Sequence, residues 1–165
     1  MESKKITIGL LAFYLAALTW IIVFKMQFSF GDLGHMRNLN LIPFGESVIV
    51  NGGIDFNEMI DNVLAFIPFG VLAHVLWEGR PLVRQAAPII FTSLLFETAQ
   101  YILAVGMSDI TDIITNSLGG TIGIGIAFGI SRVFRKNWKK IINITSLVCA
   151  GLMTLLVGAL IVANW

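Results

Sequence analysis

The sequence has 165 residues, of which 56% are hydrophobic and 13% are charged, and its formal net charge is +1. With a mean hydropathy of +0.85, the chain carries more apolar surface than a soluble core of this size buries, which excludes an ordinary soluble domain. The basic residues are scattered at the ends of apolar runs and form no nucleic-acid-binding patch. We therefore expect an integral membrane protein, with no nucleic acid among its partners.

Five apolar runs are long enough to cross about 30 Å of hydrocarbon. The first follows Lys4 and Lys5 and is longer than the apolar region of a signal peptide, so it is interpreted as an uncleaved helix. The predicted fold class is all-α, a polytopic membrane helix bundle forming a single domain over residues 1–165. The predicted spans are Ile6 to Phe24, Ile60 to Trp77, about Pro88 to Val105, Asp109 to Phe134, and Ile141 to Ala163.

The interval Gly31 to Asn57 is the longest polar stretch, yet it also contains Leu41, Ile42 and Phe44. It is too apolar for a free linker, so it is predicted to pack against the membrane or the bundle as a membrane-hugging loop. A short interfacial helix is predicted to begin near Asp55 and to lead into the second span.

Two other features concern the course of the helices. Pro68 lies within the second span and predicts a kink there, because proline frees the carbonyl one turn earlier. Gly106 to Ser108 are predicted to turn the chain after the third span. Asp109 to Asp112 then predict a helix start, because Asp and Thr side chains accept hydrogen bonds from the first amide groups of a helix.

The distribution of Lys and Arg predicts the orientation. With a cytoplasmic N-terminus and an extracellular C-terminus, nine of the 11 basic residues fall inside. These nine are Lys4, Lys5, Arg80, Arg84, Arg132, Arg135, Lys136, Lys139 and Lys140, and the outer segments hold Lys25 and Arg37. The long loop and the Asp109 to Asp112 segment then lie on the same outer face.

The third and fourth spans each carry a polar stripe at helical spacing. The stripes consist of Ser93, Glu97, Gln100, Tyr101 and Ala104 on one helix and of Asp112, Asn116, Gly119 and Gly123 on the next. A charged side chain near mid-bilayer is expensive, so Glu97 is expected to face the protein interior or a watery cavity. Gly119 and Gly123 also form a G-x-x-x-G pattern, which permits close backbone approach between helices.

Asn62 is placed near the outer start of the second span, where it can join the stripes, and Arg37 is a loop cation able to pair with a carboxylate. A purely structural explanation is also open. Glu97, with a proton, and its polar neighbours can simply hold helices together, and Asp109 and Asp112 can be caps alone. The isolated histidines His35 and His74 are interpreted as non-functional.

Four motifs, in this order and at this spacing, resemble the VanZ-like family of bacterial membrane proteins. They are Arg37 with Asn40 to Phe44, Asn62 to Gly70, Glu97 to Gln100, and Asp109 to Gly120, within about residues 37–125. Many members have an Arg just before the Asp-rich turn, where this chain has Gly106 to Ser108, which leaves Arg37 as the main candidate cation. The resemblance implies a small protein of the bacterial plasma membrane, associated in some members with resistance to teicoplanin-type glycopeptides.

We predict that an outward-facing polar pocket within the membrane binds a lipid-linked envelope ligand. Its predicted ligand-binding residues are Arg37, Asn40, Asn62, Glu97, Gln100, Asp109, Asp112 and Asn116. The expected partners are membrane lipids and either a lipid-linked cell-wall precursor or a glycopeptide antibiotic. No cofactor or metal is predicted for this binding function.

The alternative is an intramembrane hydrolase or transferase that acts on a polyprenyl phosphate or a cell-wall glycolipid. Glu97, Asp109 and Asp112 would then be the catalytic residues, either as acid and base or as ligands of a divalent cation. No nucleophile with a partner base is evident. A transporter is disfavoured because five helices without inverted repeats do not resemble a carrier.

Overall fold

A computed structural model describes residues 4–24, 36–45, 49–50, 53–54 and 56–163. It contains five helices that are long and apolar enough to cross a membrane, which confirms the predicted all-α membrane bundle. The helices are α1 (Lys4–Leu18), continued by a π-helical segment (Thr19–Val23), α2 (Phe56–Leu76), α3 (Leu82–Leu103), α4 (Ile110–Phe134) and α5 (Trp138–Ala163).

Several helices begin earlier in the sequence than the apolar runs indicated. α2 is a single helix from Phe56, so the prediction of a separate interfacial helix is wrong; Asp55 itself lies outside the described residues. The first turns of α2 carry Glu58 and Asp61 on exposed positions, where charged groups are compatible with a continuous helix. α2 also continues as a helix through Pro68, and the kink stays a prediction.

Four short strands accompany the helices: β1 (Met36–Asn40), β2 (Ile49–Val50), β3 (Gly53–Ile54) and β4 (Val105–Asp109). β1 and β4 pair in parallel, and β2 and β3 pair antiparallel. We call the end of the bundle that holds β1 and β4 the strand end. There α3 finishes and α2 and α4 begin. The opposite end is called the basic end, because the α2–α3 and α4–α5 connections there, together with the helix turns that flank them, carry most of the described Lys and Arg residues.

The predicted turn at Gly106 to Ser108 is wrong, since these residues lie in β4. The chain reverses earlier, at Ala104, which ends α3 in the left-handed conformation with φ 54°. A strand forms after this point because β1, about 69 residues earlier in the chain, pairs with the backbone of β4, with Met36 opposite Val105. The pairing depends on a segment far away in sequence, which local turn chemistry does not reveal.

α2 and α4 pack against each other along a seam of glycines. A Cβ atom on Gly119 or Gly123 would overlap the carbonyl oxygen of Val63 or Ile67, and one on Gly70 would overlap that of Gly120. These glycines therefore let the two backbones touch, which confirms the close approach predicted from the G-x-x-x-G pattern. We call this contact the glycine seam.

α1 and α5 complete the bundle by packing against each other and against α2. The Thr7 hydroxyl of α1 donates to Asn143 Oδ1 of α5 at 3.0 Å, and both residues are buried. The Tyr14 hydroxyl donates to the carbonyl oxygen of Ala65 in α2 at 2.6 Å. At the basic end, Lys139 pairs with Glu78 at 2.6 Å, which joins the start of α5 to the connection after α2.

Candidate functional site

The β4 strand runs back from the end of α3 towards the middle of the bundle. The Ser108 hydroxyl donates to the Glu97 carbonyl oxygen at 2.7 Å, and the Asp109 amide donates to Glu97 Oε2 at 2.9 Å. Glu97 precedes Leu103, the last residue of α3, by six positions, which corresponds to about 9 Å along a helix. α4 therefore begins about 9 Å below the end of α3.

Non-helical backbone at such a depth requires hydrogen-bond partners inside the protein. β1 supplies them, because it pairs with β4 over its whole length and ends with Asn40 opposite Asp109. The Asn40 side-chain amide donates to Asp109 Oδ2 at 3.2 Å. Beyond β1, the Phe44 amide donates to the Thr111 hydroxyl at 3.0 Å, so the loop after β1 is attached to the first turn of α4.

Two aspartates lie in or just before the first turn of α4. Asp109 is the N-cap residue, and its Oδ1 accepts from the Thr111 amide at 2.8 Å, which confirms the predicted helix start. Asp112 Oδ1 accepts from the Asn62 side-chain amide of α2 at 2.7 Å. The carboxyl groups of Asp109, Asp112 and Glu97 are thus gathered around the start of one helix, where the helix dipole favours negative charge.

On either side of Glu97, polar side chains of α3 and α4 are hydrogen-bonded to neighbouring elements. The Asn116 amide donates to the Ser93 hydroxyl at 2.9 Å, and the Gln100 amide donates to the Ile22 carbonyl oxygen at 3.0 Å. Three buried oxygens have no hydrogen-bond partner among the described residues. These are Glu97 Oε1, Gln100 Oε1 and Asn116 Oδ1.

Arg37 lies on the exposed side of β1 and is directed towards the end of α3. Its Nε and Nη2 donate to the carbonyl oxygens of Tyr101 and Ile102 at 3.1 and 3.2 Å. Its guanidinium carbon lies 5.4 Å from the centre of the Tyr101 ring. Arg37 therefore binds the carbonyl end of α3, where the helix dipole favours a cation, and these contacts are not the carboxylate pair expected from the sequence.

The structure brings most of the predicted site residues to the strand end, in pairs that the sequence did not specify. Asn40 contacts Asp109, Asn62 contacts Asp112, and the Glu97 carboxyl contacts the Asp109 backbone. The fourth-helix stripe is divided between two neighbours. Asn116 faces α3, whereas Gly119 and Gly123 face α2, because α4 packs between these helices.

Sequence reasoning missed two hydroxyl residues that hold the site together. Ser108 was predicted to lie in a turn and Thr111 at a helix start, and neither was predicted as a site residue, yet they bind the Glu97 carbonyl oxygen and the Phe44 amide. Their position beside the aspartates was a signal that they belong to the site. His74 is buried at the other end of α2, where its Nδ1 lies 2.9 Å from Gln85 Oε1; His35 lies outside the described residues.

Within residues 4–24, 36–45 and 56–163, no group of three or more His, Cys, Asp and Glu side chains is placed to hold a metal ion. An apolar cavity of about 240 Å³ lies between α1, α2 and α5, lined in part by Phe13, Pro68 and Met153. That cavity is separate from the polar residues at the strand end.

Comparison with known proteins gives one consistent result. The model of the VanZ/LLP1 family matches residues 11–135, a range that contains every candidate site residue. An Enterococcus faecium protein named Protein VanZ is 39% identical over 156 residues, which cover 93% of this chain and 92% of the relative. No solved structure matches the chain significantly.

Proposed function

The chain belongs to the VanZ/LLP1 family of membrane proteins, and from that premise we propose that it binds a lipid-linked ligand of the bacterial cell envelope at the strand end. We further propose that this binding lowers the susceptibility of the cell to teicoplanin-type glycopeptides. The ligand-binding residues in this proposal are Arg37, Asn40, Asn62, Glu97, Gln100, Asp109, Asp112 and Asn116.

The observation that supports this proposal is the incomplete hydrogen bonding of the buried polar cluster. Side chains that only hold helices together are expected to satisfy one another, because an unpaired buried polar atom is costly. Here Glu97, Gln100 and Asn116 each leave one oxygen without a partner among the described residues. A ligand that reaches these oxygens would supply the missing hydrogen-bond partners.

The proposed location is the bacterial plasma membrane, with the N-terminus in the cytoplasm and the strand end outside. This orientation is supported by the separation of charges along the bundle. Arg80, Arg84, Arg132 and Lys139 lie at the basic end, and cytoplasmic segments are enriched in such residues. The ligand site would then face the compartment in which cell-wall precursors and glycopeptides meet.

The test compares teicoplanin susceptibility in matched cells that carry no protein, wild type, Glu97→Gln or Asp61→Asn, at equal membrane levels. Asp61 is exposed on the first turns of α2, so its substitution removes a carboxyl group that lies outside the buried cluster. We expect protection from wild type and Asp61→Asn, and weakened protection from Glu97→Gln. Equal protection by all three proteins would contradict the role of Glu97, and no protection by wild type would contradict the resistance function.

An enzyme is the second candidate, favoured by the position of Glu97, Asp109 and Asp112 around the start of α4. In this alternative, two of the carboxyl groups would act as acid and base on a polyprenyl phosphate or glycolipid. The lipid composition of cells with wild type and with Asp112→Asn would then differ. An identical lipid profile in cells with wild type, with the variant and without the protein would exclude this alternative.

A further inference from the structure

The unpaired oxygens at the strand end share one chemical property. Glu97 Oε1 and Gln100 Oε1 belong to residues that are 4% and 6% exposed, and Asn116 is fully buried at 0%. The partner atoms in the same side chains are already engaged by Asp109, Ile22 and Ser93. The Ile22 carbonyl oxygen can only accept a hydrogen bond, so it is the nitrogen of the Gln100 side-chain amide, and not Oε1, that faces Ile22. Gln100 Oε1 therefore lacks a donor, as does Glu97 Oε1 in an ionised carboxyl group, whereas the Ser93 hydroxyl can itself donate to Asn116.

Glu97 and Gln100 lie on one face of α3, and Asn116 reaches that face from α4 through its hydrogen bond to Ser93. At 1.5 Å per residue, Gln100 lies about 4.5 Å beyond Glu97 along the helix, and Ser93 lies about 6 Å before it. One small donor group can therefore reach both Glu97 and Gln100, whereas Asn116 lies on the far side of Glu97.

The charge around these side chains is negative. Besides Glu97, the carboxyl groups of Asp109 and Asp112 lie at the start of α4, and Glu58 lies on the first turns of α2. Within the described residues of the strand end, the cation is Arg37, and its guanidinium binds the carbonyl end of α3. A phosphate group would bring negative charge and further acceptors to a site that already has both.

We infer that the group bound at Glu97 and Gln100 is a primary ammonium group of an envelope molecule. An ammonium has three N–H donors, no acceptor and a positive charge, which complements unpaired acceptor oxygens among carboxylates. Each oxygen is shielded from solvent, so the group that reaches it is small, such as the amino end of a larger headgroup. This inference specifies the ligand of the proposed function and rests on that function only for the existence of a ligand site.

The test measures thermal unfolding of the full-length protein in phosphatidylglycerol nanodiscs. The probes are methylammonium chloride, tetramethylammonium chloride and sodium phosphate at equal ionic strength. Tetramethylammonium has the same charge as methylammonium but no N–H donor. We expect the unfolding midpoint of wild type to rise with methylammonium concentration and to stay unchanged with the other two probes. Equal responses to both cations, no response to methylammonium, or a larger response to phosphate would overturn the inference.

The variants locate the response. Asp61→Asn, at an exposed position of α2, should keep the methylammonium shift, and Glu97→Gln should lose it; a shift retained in Glu97→Gln would overturn the assignment to this site. The contrast between the two cations is measured on wild type, so the inference is tested even if Glu97→Gln does not fold. Nanodiscs that also contain phosphatidylethanolamine then identify the source. A lipid amine would reduce the added methylammonium shift, whereas a water-soluble amine would leave it unchanged.

The outcomes also separate this inference from the resistance function. A methylammonium response that depends on Glu97, together with no effect on teicoplanin susceptibility, would leave the ammonium site in place and remove the proposed role in resistance. Protection that depends on Glu97 without a methylammonium response would keep the proposed role in resistance and remove the ammonium site.

Discussion

Helix α4 makes two different kinds of contact, and the difference separates support from function. Along the glycine seam its backbone touches that of α2, with Gly119 and Gly123 against carbonyl oxygens of the neighbouring helix. Around its first turns it meets carboxyl and amide side chains, and Asn116, two turns along, retains an unpaired oxygen. The seam has no room for an additional atom, whereas the polar cluster lacks hydrogen-bond donors.

The two regions depend on each other through the rigidity of α4. A buried polar side chain that lacks a partner can be maintained only if the surrounding structure holds it in place. Gly70 and Gly120 lie in contact further along the same pair of helices, so α4 is held against α2 by backbone packing in addition to the polar contacts at its start. We therefore expect substitutions in the seam to change folding, and substitutions in the polar cluster to change function with smaller effects on stability.

The largest effect is expected from Gly123→Ala. Its new Cβ would overlap the Ile67 carbonyl oxygen, a backbone atom that cannot move without shifting the helix. Overpacking of this kind costs about 1–3 kcal/mol of unfolding free energy, and a fixed backbone neighbour places this variant at the upper end of that range. Titration of the protein in mild detergent with sodium dodecyl sulfate, followed by circular dichroism, measures the loss.

Gly125→Ala is the matched control, because a Cβ at Gly125 has no neighbour within 4 Å. Its unfolding free energy should be unchanged or raised by up to about 1 kcal/mol, since alanine favours a helix more than glycine does. Similar losses in the two variants would contradict the glycine seam.

An intermediate effect is expected from Asp109→Ala. The substitution removes the cap that accepts from the Thr111 amide and an acceptor for the Asn40 side chain. Loss of an N-cap costs about 1 kcal/mol, and up to about 2 kcal/mol in favourable cases. Asp61→Ala, at an exposed position of α2, is the control and should change the same unfolding titration little. Equal stability of the two variants would show that Asp109 does not act as a cap.

The smallest effect is expected from the hydrogen bond between Asn116 and Ser93. In a double-mutant cycle with Ser93→Ala and Asn116→Leu, the coupling should be about 0.6 kcal/mol, the average for side-chain hydrogen bonds between membrane helices. The cycle isolates the pair from the separate effects of each substitution. A coupling as large as the loss in Gly123→Ala would remove the distinction between seam and cluster.

Much of the fold could be predicted because membrane helices carry strong local signals. Each of the five helices contains a long apolar window, and the polar face of α3 follows from helical periodicity alone. The helix start at Asp109 was also predictable, because the capping residues themselves mark it. The first residues of α2 and α3 were not predicted correctly, because hydropathy detects the apolar middle of a helix and not first turns that contain polar residues.

What could not be predicted are the contacts between segments far apart in the sequence. β1 and β4 are five residues each and show no alternation that would mark them as strands, so their pairing appears only in three dimensions. The Gln100 contact with Ile22 requires knowing that the end of the first helix lies beside α3. Arg37 binds the carbonyl oxygens of Tyr101 and Ile102. Whether an arginine pairs with a carboxylate or with the end of a helix depends on its position in three dimensions, which the sequence does not give.

The most direct test of the account measures protection against teicoplanin per folded molecule for Glu97→Gln and Gly123→Ala in the same cells. Folded protein in the membrane is quantified for each variant, and susceptibility is compared at equal folded amounts. The account predicts that Gly123→Ala lowers the folded amount and leaves protection per folded molecule unchanged. Glu97→Gln is predicted to leave the folded amount nearly unchanged and to lower protection per folded molecule. Unchanged protection per folded molecule in Glu97→Gln would contradict the account, because the polar cluster would then have only a structural role.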